Sequence, residues 1–135
     1  MDLLGAQASV DWGDVAILAV LSLVLGALWH SPLMFGPIWL GEVRRLERPR
    51  GGALAALAAG GAALHFAVLV AMSILVDSAS TTTRGLQVGL GVALFFVTTT
   101  LGATYLFAAR SLRLFLIDAG FYLVFLALAG VVLAY

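Results

Sequence analysis

Asp118 is the residue in this chain best placed to carry chemistry. It is the only charged residue between Leu114 and Tyr135. A carboxylate in so apolar a stretch is costly unless it faces a partner or a cavity. Tyr122 follows four residues later and shares its helical face. Three more candidates lie on other apolar stretches, Trp29 and His30 on the first and Tyr105 on the third. At about 1.5 Å per residue, Asp118 sits about 9 Å inside its segment, Trp29 and His30 about 8–10 Å from Phe35, and Tyr105 about 6 Å from Ala109. The spacing therefore predicts one polar and aromatic layer of Trp29, His30, Tyr105, Asp118 and Tyr122. Arg110 and Arg113 are candidate counter-ions for Asp118.

Two readings fit that layer. In the first, a carboxylate capped by Arg, His or Tyr fixes the register of the helices. In the second, His30 and Asp118 change charge and serve a binding or proton-relay site. A metal site is not expected, because two His and one Asp show no ligand spacing. His65 stands near the middle of the second stretch, away from the layer in depth, and reads as a neutral histidine hydrogen-bonded to a neighbouring helix. Thr98, Thr99 and Thr100 are polar for mid-membrane, and their hydroxyls can bond back to helix carbonyls. No nucleophile-elbow, phosphate-loop, zinc-protease or dinucleotide motif is present, and no cofactor is expected.

The elements that must position these residues are set by charge spacing. No charged residue lies between Asp14 and Glu42, between Arg50 and Asp77, or between Arg84 and Arg110. A spanning helix needs about 20 mostly apolar residues, so the chain predicts helices over 15–35, 52–76, 85–109 and 112–134. The expected fold is all-α, one transmembrane domain over 1–135 built as a polytopic four-helix bundle. Composition agrees: 63% of the 135 residues are hydrophobic and 10% charged, against about 25% charged in soluble domains. The net charge is zero, which leaves no basic patch for nucleic acid. There is no cysteine and no Asn, so disulfides and N-glycosylation are excluded. The first fourteen residues carry three Asp and no Arg, unlike a cleaved signal peptide.

Arginines set the expected orientation. Arg44, Arg45, Arg48, Arg50, Arg110 and Arg113 share one side, and the other has only Arg84. Positive residues stay cytoplasmic, which predicts an N-out/C-out protein of the inner (plasma) membrane. Trp12 and Trp39 bracket the first helix at the two interfaces. The first helix should bend or end at Ser31-Pro32, leaving His30–Trp39 broken or interfacial. Arg48-Pro49-Arg50 reads as a turn, and the Ser/Thr-rich stretch from Asp77 as a plain loop. Gly85 and Gly89 form a small-residue pair for close helix packing, and Ser22 with Gly26 a looser one; packing within one chain is favoured over a dimer face. Leu25-Gly26-Ala27-Leu28-Trp29 echoes Leu101-Gly102-Ala103-Thr104-Tyr105, as a duplicated hairpin would.

The run from Gly26 through Trp29-His30-Ser31-Pro32 to Phe35-Gly36, with Trp39 after it, resembles the first-helix signature of domain-of-unknown-function family 1761. Arg110 to Tyr122, with Gly130 further on, is similar to that family's last helix. The chain departs from the pattern at His30, where the family usually has Tyr. The resemblance implies four membrane helices and no assigned activity. The leading functional expectation is binding or transport of a small molecule or lipid by a homo-oligomer. A non-catalytic accessory subunit on a larger membrane partner is the alternative, and an integral-membrane enzyme the third.

Overall fold

The computed structural model describes residues 10–43, 50–76 and 81–135. Among them are five helices: α1 (Trp12–Trp29), α2 (Gly36–Glu42), α3 (Gly51–Leu75), α4 (Thr82–Phe107) and α5 (Leu112–Leu133). All but α2 are long and apolar enough to cross a membrane. Arg44, Arg45, Arg48 and Pro49 lie outside the described residues, as do 77–80, where the sequence predicts a loop, and the first nine.

Polar caps start three of the spans. Asp11 accepts from the Gly13 and Asp14 amides, Thr81 from Arg84, and Ser111 from Leu114. Each satisfies amides that the first helical turn leaves without carbonyls. α1 stops at Trp29, short of the expected Phe35. Pro32 cannot donate to a continuing helix, and the chain folds back through Met34 and Gly36 amides onto the Ser31 carbonyl and the Phe35 amide onto that of Trp29. Pro37 then lies in the first turn of α2, where its missing N–H is no loss. Between α4 and α5, Ala109 takes a left-handed φ of 51°, and the Arg110 amide reaches back to the Tyr105 carbonyl.

α4 contains one π-helical turn, Ala93–Thr98. A π-turn holds an extra residue and so rotates everything after it. At about 100° per residue, an unbroken α-helix would aim Tyr105 roughly 160° away from Gly89; the extra residue brings the two to within roughly 60°. The π-turn lets one helix use its first half for packing and its second half for the site, both against α5.

The spans pack tightly in one half of the bundle, where α1 and α4 begin and α3 and α5 end. Val15, Leu18, Leu69, Met72, Phe125, Leu126 and Ala129 are buried there. Gly85 and Gly89 lie directly on α5: a Cβ at Gly85 would overlap the Gly130 carbonyl, and one at Gly89 that of Leu126. Gly26 does not pack this way. A Cβ there would meet only the Phe121 ring, at an ordinary 3.8 Å, because Gly26 faces a side chain and not a neighbouring backbone. In the other half the helices part: the beginning of α3 is exposed along most of its length, and α3 and α4 scarcely touch.

Candidate functional site

The site lies where the helices part. Asp118 of α5 receives two donors, one on each oxygen. Trp39 Nε1 of α2 donates to Oδ1 at 3.1 Å, and the Tyr105 hydroxyl of α4 to Oδ2 at 2.5 Å. One residue back, the Ile117 carbonyl accepts from Trp29 Nε1 of α1 at 3.0 Å. Three elements thus each send one donor to the same turn of α5. Bonds to a charged acceptor are the stronger kind. The Trp29 ring is seated by Gly120, where a Cβ would stand 3.1 Å from it, and packs on Phe35.

His30 completes the cluster. Its Nδ1 lies 2.9 Å from the Gly26 carbonyl, and a carbonyl can only accept, so Nδ1 carries a proton. Nε2 faces Asp118 Oδ1 at 3.7 Å.

Arg110 and Arg113, the expected counter-ions, make no ion pair with Asp118. Both are exposed. Arg113 lies roughly 140° around α5 from Asp118, and Arg110 belongs to the turn before the helix. The group facing the carboxylate is His30. Tyr122 lies one turn on from Asp118, with its ring edge-on to Phe121 and to His65.

A cavity of about 730 Å³ adjoins the cluster. His30, Trp39, Tyr105, Asp118 and Tyr122 line one end; Leu54, Leu57, Leu101 and Phe121 give it an apolar body. Trp29 is outside it and acts from behind, as packing. His65 and Ser22 line the cavity as well, so His65, although bonded to a neighbouring helix, is not set apart from the layer. Its Nδ1 lies 2.9 Å from Ser22 Oγ. Ser22, Gly26 and His30 recur at four-residue spacing on α1, and that stripe was the sequence signal for the cavity wall. Trp39, read from sequence as an interfacial anchor, is a donor to the site. Among the described residues no group of three or more His, Cys, Asp or Glu could hold a metal ion.

Fold and site together define a small all-α protein with four candidate membrane spans and an amphipathic cavity between them. The chain belongs to the DUF1761 family, described as a protein of unknown function, whose model matches residues 14–134. Comparisons with curated proteins and with solved structures find no match.

Proposed function

We propose that this protein binds a small amphipathic molecule, drawn from the bilayer into the cavity between α1, α3, α4 and α5. The observation that carries this reading is the cavity itself: a space of about 730 Å³ with an apolar body, a cluster of His, Asp and Tyr at one end, and a side where α3 and α4 scarcely meet. Ligand pockets of about 300–1,000 Å³ with a few convergent polar groups have this form. Four spanning helices with six of seven arginines on one side support an N-out/C-out multi-pass protein of the inner membrane, with the polar cluster in the cytoplasmic half.

Asp118 also supports a structural role, because both its oxygens already hold donors from other helices. On this reading the carboxylate keeps the parted helices in place, and ligand contacts fall to other groups on the wall. Binding is favoured over passage through one copy, since buried Leu69, Met72 and Leu126 close the far half of the bundle. Transport would require a homo-oligomer.

The test is extraction of the protein with its surrounding lipid into polymer-bounded discs, followed by mass spectrometry of the lipophilic contents. Gly61 lines the cavity and has open space at its Cβ, so Gly61→Phe is the substitution chosen to put bulk into the cavity. The expected result is a molecule enriched over bulk membrane with the native protein and absent with Gly61→Phe. Identical contents from both would sink the proposal.

A further inference from the structure

Two polar atoms on the cavity wall have no hydrogen-bond partner among the described residues, and they specify what the ligand's head must offer. The first is Nε2 of His65. Ser22 donates its hydroxyl proton to the Ala19 carbonyl at 2.7 Å, so toward His65 it can only accept. Nδ1 of His65 must therefore carry the ring proton for its bond to Ser22, and in the neutral ring Nε2 is then a bare acceptor. The second is the Tyr122 hydroxyl, which makes no hydrogen bond among the described residues. The only buried side-chain nitrogen or oxygen without a partner there is Thr98 Oγ1, so both the His65 and the Tyr122 atoms are accessible. Both residues line the cavity, with ring centroids 5.9 Å apart.

We infer, on the proposal of a bilayer-derived ligand, that the cavity takes a lipophilic alcohol or phenol, whose hydroxyl donates to His65 Nε2 and can accept from Tyr122. A bare imidazole nitrogen needs a donor, which an ester, ether or ketone lacks. An amine would bring a positive charge, but Asp118 already holds two donors and faces His30, so no free carboxylate waits for it. A hydroxyl both gives and accepts, matching the two open atoms without adding charge. Leaving either atom dry against an apolar ligand would cost a hydrogen bond in a medium with no water to replace it.

The experiment uses the full chain in phosphatidylcholine nanodiscs, with 15N-labelled histidine. The chain has two histidines, so the spectrum is simple, and a His30→Gln sample assigns it. The probes are 1-dodecanol and dodecyl methyl ether at equal mole fraction in the bilayer. Binding is read from tryptophan fluorescence and the ring from 15N shifts. The expected result has His65 protonated on Nδ1, and its bare-nitrogen resonance moves upfield with the alcohol and stays put with the ether. The alcohol binds about tenfold more tightly, the worth of one hydrogen bond. Tyr122→Phe reduces that preference, and Ser22→Ala, which frees the ring to take the other tautomer, abolishes it. Equal saturable binding of both probes, or His65 protonated on Nε2, overturns this inference and leaves the cavity as a binding site. Failure of both probes to bind saturably, with Gly61→Phe indistinguishable from the native chain, overturns both.

Discussion

At the scale of single residues, Asp118 is held by donors of unequal versatility. Trp39 can only donate, whereas the Tyr105 hydroxyl can also accept. Asp118→Asn keeps an oxygen for Trp39 and offers an amide N–H to Tyr105, so the network survives with a reversed bond. Thermal unfolding in mild detergent should show a loss under about 1 kcal/mol, the size of one ordinary bond. Asp118→Leu leaves the indole and the phenol without their acceptor, and each orphan costs about 1–3 kcal/mol. A leucine variant as stable as the asparagine one would refute the strut. The sequence made the layer readable in depth, because helical rise converts residue number into height. It did not show azimuth or tautomer. Trp39 was hidden because its donor role needs the fold-back at Ser31-Pro32, which turns α2 toward α5, and Arg113 looked like a partner because depth alone says nothing of its side of the helix.

At the scale of elements, α4 is two half-helices with different duties joined by the π-turn. Its first half meets α5 backbone to backbone, so Gly89→Ala forces the helices apart and should cost ~1–3 kcal/mol. Gly91, with nothing near its Cβ, is the control: Gly91→Ala should be neutral or gain about 0.5–1 kcal/mol. Equal melting temperatures for the two variants would contradict the packing. The π-turn makes a sharper forecast. Deleting Phe95, which is exposed inside the turn, restores an ordinary α-helix while keeping the aim of Tyr105. Deleting Ala103, beyond the turn, removes a residue between the π-turn and Tyr105 and swings its side chain by about 100°. Tyr105→Phe should then reduce stability as much in the Phe95-deleted chain as in the full one, and not at all in the Ala103-deleted chain. The four spans were legible in the sequence because charge spacing marks their ends. The π-turn was not, since uniform helical periodicity has no term for an added residue and Ala93–Thr98 carries no Pro or Gly to announce it.

At the scale of the whole molecule, the proposed topology, drawn from the arginine distribution and four candidate spans, has both ends outside. The chain has no cysteine, so single cysteines report cleanly. In intact cells a membrane-impermeant maleimide should label Tyr135→Cys and leave Ala109→Cys untouched until the membrane is opened. The reverse pattern would invert the protein and move the polar cluster to the outer half. The small-residue pair is used within the chain, on α5, so assembly of several copies would have to use other faces. α4 offers one of these, with Phe95, Phe96, Leu106 and Phe107 all exposed.

If the proposed ligand enters by the gap between α3 and α4, concentration takes on a different meaning for this protein. A molecule entering sideways is already dissolved in lipid, so occupancy follows its mole fraction among the acyl chains and not its level in water. Each added methylene favours lipid over water by about 0.8 kcal/mol, or roughly fourfold. Across a series of longer alcohols, apparent potency measured in water would climb by that factor per carbon even if the cavity were indifferent to chain length. A weak site can therefore stay full, its selectivity for chain length set by the solvent it faces, while selectivity for the head remains its own.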